Sequence, residues 1–231
     1  MEKQIAVTIE AQPGGKAGNR PLAALTMLCS WLAAALIVCH VCVPPSLADT
    51  PPSPTEQLKV TIEKVTEILT DLTADTKKNK DEPMARLCDT VHEGFSLAKT
   101  ARLSLTDHWE QRTEPEQKRF VALFGKLLET TYLTYADRYQ GEQVVFIREA
   151  THQDRAQVHV RVIHGILSIP VTVNMHVAGD RQWRVYDVVV FGISLVGNYR
   201  AQFNHIIRRH SYDEVIRIME EKTAGHTICA G

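Results

Sequence analysis

The sequence predicts an α+β domain in which helices pack on one face of a curved, four-stranded antiparallel sheet. Three observations predict it. Apolar residues recur at spacings of three and four from Leu58 to Tyr139 and again from Leu195 onward, the period of amphipathic helices. Between Gln143 and Phe191 the period drops to two, the signature of strands with one apolar and one polar face. The links between those strands, at Gly165 and at Gly179-Asp180, are short, which favours an antiparallel meander. Helices, then strands, then helices is the order of a segregated layered domain.

Taken in order, Leu58, Ile62, Val65, Leu69 and Leu72 form one apolar stripe, with Thr55 placed as the cap. The polar stretch from Asp75 to Glu82 ends that helix, a short helix begins near Pro83, and Phe95 to Trp109 reads as a third. Thr113-Glu114-Pro115-Glu116 is a capping box that opens a long helix carrying Phe120, Phe124, Leu127, Leu128, Tyr132, Tyr135 and Tyr139, ended by Gly141. The strands are Gln143 to Glu149, the run around Val158, Val160 and Val162, the run from Ile169 to Val177, and Trp183 to Phe191. Two helices close the chain, about Leu195 to Arg209 and Tyr212 to Lys222, the second capped by Ser211. This apolar supply is what an ordinary core requires, and the layout also leaves room for a cleft between sheet and helices.

The N-terminal part belongs to targeting. Lys16 and Arg20 precede an apolar run from Leu22 to Val43, followed by Pro44-Pro45 and small residues at Ser46 and Ala48. This reads as an export signal over residues 1–48, cleaved after Ala48, or as a retained anchor, since the run is long enough to span a bilayer. Residues 49–54 read as a Pro-rich linker, 55–222 as one domain and 223–231 as a loose tail. Cys29, Cys39 and Cys42 lie in the apolar run, so an exported domain keeps Cys88 and Cys229, which can pair in an oxidising compartment.

Composition and motifs exclude several function classes. The chain carries 26 Lys and Arg against 27 Asp and Glu, a formal net charge of -1, so it has no basic excess for a nucleic-acid surface. GxSxG, HExxH, P-loop and GxGxxG motifs are absent. His159, His164 and His176 lie on neighbouring strands, but no cysteine or carboxylate completes a metal set around them. Asp187 interrupts an apolar strand and reads as a carboxylate on the outer sheet face or one held by an arginine such as Arg200. A lone carboxylate without a placed partner is no mechanism, so the chain reads as a non-enzyme without cofactor or metal.

The block from Trp183 to Phe203, WRVYDVVVFGISLVGNYRAQF, resembles the signature of the MlaC family of periplasmic phospholipid-binding proteins: a W-x-V-Y-D strand, a G-V-S-L turn and an N-Y-R-x-Q-F helix, with Ile193 in place of valine. A second block, Trp109, Thr113, Gln117, Phe120, Phe124, Leu128 and Tyr132, is similar to that family's W-x-x-x-T-x-x-Q-x-x-x-F helix, with the glutamine one residue later than in that pattern. One departure is that the family commonly has a Leu-Gly pair before the tryptophan, where this chain has Leu105-Thr106. The resemblance implies an NTF2-like fold with a pocket that holds acyl chains, and phospholipid as cargo. It implies a monomeric carrier in the periplasm, moving lipid between an inner-membrane ABC transporter complex with an MCE-domain protein and an outer-membrane lipoprotein–porin complex. A related branch associated with hopanoid synthesis shares the signature, and a non-carrier adaptor on the same fold is the other alternative. On this reading the pocket is lined by Phe120, Phe124, Leu128, Val158, Val160, Val171, Val173, Tyr186, Val188, Val190, Tyr199 and Phe203, the last strand contributing its face away from Asp187. Glutamate at Val173 is then expected to abolish lipid loading and leave the fold intact.

Overall fold

Ser53, not Thr55, begins the first helix. In the computed structural model, which describes residues 52–74, 80–225 and 229, the Ser53 hydroxyl accepts from the Glu56 amide at 3.1 Å and the Glu56 carboxylate accepts from the Ser53 amide at 3.2 Å. Pro54 takes the first helical position, where its missing N–H costs nothing. The Thr55 amide is left to donate across to Glu149 Oε2 at 2.8 Å. The expected export signal over residues 1–48 and residues 49–51 of the expected Pro-rich linker lie outside the described residues. Among those described, no helix is long and apolar enough to cross a membrane.

Helix α1 (Pro54–Ala74) spends its stripe on two surfaces. Leu58 and Ile62 pack on the sheet, while Val65, Ile68 and Leu69 pack on α2 (Asp81–Gly94). The third helix is shorter than its periodicity suggests. Phe95 is extended and bridges Val185 in parallel, and the Ser96 amide donates to Val185 O at 2.7 Å, so α3 runs only from Leu97 to Leu105. It ends because Thr106 turns to φ +47°, followed by a 3-10 turn over Thr106–His108. A β-branched residue pays for that left-handed conformation, and glycine does not. Thr106 stands where the MlaC pattern has its glycine. Thr106→Gly is therefore expected to raise stability by about 1 kcal/mol, read as a higher urea midpoint at unchanged m value.

Thr113 and Glu116 form the expected capping box on α4 (Glu114–Tyr132), the Thr113 amide donating to Glu116 Oε2 at 2.7 Å. Gly125 lets α3 and α4 touch: a Cβ there would lie 2.7 Å from Leu97 Cδ2. After Tyr132 the chain continues as a 3-10 segment, Leu133–Arg138, rather than as α-helix, and Gly141 then turns it at φ +83°.

The sheet is antiparallel throughout, in the order β1 (Gln143–His152), β2 (Arg155–His164), β3 (Leu167–Val177), β4 (Trp183–Val190) and β5 (Ile193–Ser194). Pairs Ala156–Met175, Val158–Val173 and Val160–Val171 lie on the face toward α1, and Gln157–Asn174 and His159–Thr172 lie on the other. Two register shifts interrupt the alternation, one at Ile147 between Phe146 and Arg148, and one at Tyr186 between Val185 and Asp187. Such bulges bend the strand and raise its twist. The fifth strand is an addition to the four expected. Phe191 (φ +51°) and Gly192 (φ +80°) make a two-residue turn with both residues left-handed, and Ile193 and Ser194 pair back with Val190 and Val189.

Helices α5 (Leu195–Arg209) and α6 (Tyr212–Thr223) complete the fold, the Ser211 hydroxyl capping α6 by accepting from the Glu214 amide at 3.2 Å. With α3 and α4 they enclose a second core of aromatic rings, Phe124 meeting Tyr199 edge-on at 4.9 Å and Phe120 meeting Phe203 edge-on at 5.5 Å. In the segment 223–231, read from the sequence as a loose tail, Thr223 still belongs to α6 and Cys229 is disulfide-bonded to Cys88 on α2.

Candidate functional site

The twelve residues expected to line a pocket fall into separate places. Val158, Val160 and Val173 are buried on the inner sheet face beneath Leu58 of α1, and Val171 and Val188 pack against the same group. Val190 pairs with Val171 near the strand end and is 39% exposed. Tyr186 takes the other face: the bulge carries its ring to 5.9 Å from His176, with Lys99 Nζ 4.8 Å from its centre. Phe120, Phe124, Tyr199 and Phe203 are buried in the four-helix core, with Leu128 packed on its edge. The structure brings the sheet valines together and the helix aromatics together, but does not join the two sets into one chamber.

Open space lies elsewhere. A cavity of about 450 Å³ sits between α1, α2 and the 3-10 segment, walled by Val65 and Leu69, by Leu87 and Val91, and by Tyr132, Leu133, Tyr135, Ala136 and Tyr139. Arg138 and Glu142 supply its charged groups. Arg138 lies over the Tyr135 ring at 4.9 Å, and Glu142 Oε1 is 2.9 Å from His164 Nδ1. Burial by itself would raise the Glu142 carboxyl, but hydrogen bonds from the Gln140 and Glu142 amides and from His164 outweigh it and hold the group below the usual range. A second cavity of about 320 Å³ lies among α4, α5 and α6, touching Tyr199 and Phe203. None of the twelve expected residues lines the larger cavity. Its sequence signal was the lower half of the α1 stripe together with Tyr132, Tyr135 and Tyr139, which only the fold brings face to face.

The titratable groups that the sequence singles out take up structural contacts. Asp187 is neither on an open face nor held by Arg200, whose Nε donates to Leu103 O at 3.0 Å. Its carboxylate is buried and accepts from Asn174 Nδ2 at 3.2 Å, from the Ser194 hydroxyl at 2.8 Å and from the Val196 amide at 3.0 Å. It therefore anchors the start of α5, where a negative charge also meets the positive end of the helix dipole. The Ser194 hydroxyl in turn accepts from the Gly197 amide at 2.9 Å. Burial pushes the Tyr199 hydroxyl up to about 12 and raises Tyr186 as well, so both stay protonated near neutral pH. Burial lowers His159 and His176, favouring their neutral forms. Their Nδ1 atoms, like that of His164, face separate protein partners: the Thr172 hydroxyl, Val177 O and Glu142.

The chain is similar to proteins of one family. The family described as MlaC protein matches residues 59–221. A solved structure of a phospholipid-binding protein from Ralstonia solanacearum, in complex with a phospholipid, superposes with a TM-score of 0.66 at 18% identity, covering 75% of this chain and 98% of that one. At that identity the likeness establishes the fold. No curated protein matches the chain.

Proposed function

The chain belongs to the MlaC family, and from that premise we propose that it is a periplasmic phospholipid carrier, exported by its N-terminal segment. It takes lipid between an inner-membrane ABC transporter complex with an MCE-domain protein and an outer-membrane lipoprotein–porin complex. The observation that carries the proposal is the cavity between α1, α2 and the 3-10 segment, whose walls are apolar and whose charged groups are Arg138 and Glu142. Its volume of about 450 Å³ is within the range of small-molecule sites. Apolar walls with a few charges suit an amphiphile. The cavity shares α1 with the sheet valines Val158, Val160, Val171, Val173 and Val188, which lie closed beneath Leu58, so tails that enter beside Leu69 stay in the cavity unless α1 lifts from the sheet. The solved relative's bound phospholipid supports the same reading.

Energetics explain why so apolar a lining is needed. Two acyl tails bring roughly thirty methylenes, each worth about 0.8 kcal/mol against water. Those tails are already dry in a bilayer, so extraction is uphill unless the carrier offers comparable apolar surface. Such a lining cannot read tail chemistry, and direction of transport then rests with the docking partners. The protein is a binding protein rather than an enzyme on this reading.

Native mass spectrometry of the protein isolated without detergent from a periplasmic extract tests it. About one phospholipid per monomer, with an N-terminus at Asp49, is the expected result. A hopanoid-type lipid would transfer the protein to the related branch. A well-folded protein that carries no lipid, and takes none from vesicles, overturns the carrier reading in favour of an adaptor.

A further inference from the structure

We infer that the reduced chain binds a thiophilic divalent ion such as zinc through Cys88, His92, Glu129 and Cys229. Cys88 and His92 are four residues apart on α2, so their side chains share one face. The donor atoms of His92, Glu129 and Cys229 all lie within 4.8 Å of one another, with His92 Nε2 2.9 Å from Glu129 Oε1. Cys88 lies beside these three through its bond to the sulfur of Cys229, and its side chain must turn to join them once that bond is broken.

The four donors match zinc's preference for sulfur and nitrogen with one carboxylate oxygen in a tetrahedral set. Zinc–sulfur bonds of about 2.3 Å and zinc–nitrogen or zinc–oxygen bonds of about 2.0–2.2 Å place tetrahedral ligands roughly 3.3–3.8 Å apart. To reach that spacing Cys229 closes on His92 and Glu129 by up to about an ångström, the two sulfurs part once their bond is broken, and the His92–Glu129 pair opens by a few tenths of an ångström, all within reach of side-chain rotation. Cys88 is buried and the Glu129 side chain is only 15% exposed, so the site is sheltered on its helix side. The His92 side chain is 47% exposed and leaves a route for the ion.

In the disulfide the two sulfurs carry no thiolate charge and cannot ligate. A phosphine reductant delivers two electrons to the S–S bond: the phosphine becomes its oxide, taking the oxygen from water, and the water's two protons go to the sulfurs. Zinc then displaces both thiol protons. The tail is thus held on α2 in two chemically distinct ways, by a covalent bond when oxidised and by a shared ion when reduced.

The test uses the full-length chain with Cys29, Cys39 and Cys42 replaced by serine, leaving Cys88 and Cys229 as its thiols. The protein is reduced with a phosphine, desalted without oxygen and titrated with cobalt(II), then zinc(II). One cobalt per chain, with thiolate charge-transfer and tetrahedral d–d bands that zinc abolishes, is expected. The oxidised chain should give no such bands. His92→Ala and Glu129→Gln, which keep the disulfide when oxidised and so report their fold independently by circular dichroism, should each weaken zinc binding at least about tenfold. A reduced chain with two titratable thiols but no one-to-one cobalt spectrum overturns the site. So does undiminished affinity in both variants, which would mean an adventitious two-thiol complex only.

Discussion

Replacing Asp187 with alanine is expected to lower folding stability by roughly 3–5 kcal/mol. Three donors converge on this buried carboxylate, from Asn174, Ser194 and Val196, and alanine strands all of them. The Asn174 amide is held on its other side by Gln157 Nε2 at 3.0 Å, so it cannot simply turn outward to water. The Val196 amide is one of the N–H groups that open α5 without a partner in the helix, and the Asp187 carboxylate is what it meets. Asp187→Asn keeps the shape but sacrifices charge and acceptor capacity, and should cost about 1–3 kcal/mol. Urea unfolding followed by circular dichroism measures both. The folded fraction of each variant should still load lipid. A variant that folds with unchanged stability but loses an activity would make Asp187 a functional group, and the capping role assigned to it would be wrong.

What was legible in the sequence follows from how local each interaction is. The Thr113–Glu116 and Ser211–Glu214 caps span three residues, and both are found where the spacing places them. The helices and the four long strands announce themselves by period, which depends only on which face is buried. The bulges at Ile147 and Tyr186 are invisible to that reasoning because a bulge is a mismatch between two strands, and one strand's alternation cannot reveal it. That is why strict alternation puts Tyr186 beside Val188, while the structure turns its ring toward His176. The sequence does not single out Ser53 as the cap, because Thr55 is an equally good capping type and only the pairing of Thr55 with Glu149 tells them apart. Phe120, Phe124, Tyr199 and Phe203 are apolar whether they face a ligand or one another, and here they face one another. The larger cavity draws on three segments distant in sequence, each unremarkable alone.

Leu69→Glu is expected to abolish lipid loading while the domain stays folded. Leu69 is a partly exposed wall residue of the larger cavity, so a carboxylate there can reach water in the empty protein and need not be buried. An acyl chain laid against it removes that water, and desolvating an unpaired carboxylate costs several kcal/mol. Each 1.4 kcal/mol is tenfold in occupancy, so loading should fall by at least a hundredfold and native mass spectra should show only the lipid-free mass. Val91→Glu, on the facing wall of α2, should do the same and guards against a local defect in α1. Val173→Glu makes the instructive contrast. Read from the sequence alone it should lose lipid and keep its fold, but Val173 is 6% exposed beneath α1, where a carboxylate has neither water nor partner. The expected result is loss of the fold, seen as a collapsed thermal transition. If Leu69→Glu and Val91→Glu load lipid like the parent protein, the cavity between α1 and α2 is not where tails sit. A folded, lipid-free Val173→Glu would then put them under α1 against the sheet, which requires α1 to lift from Val158 and Val173 whenever cargo is aboard.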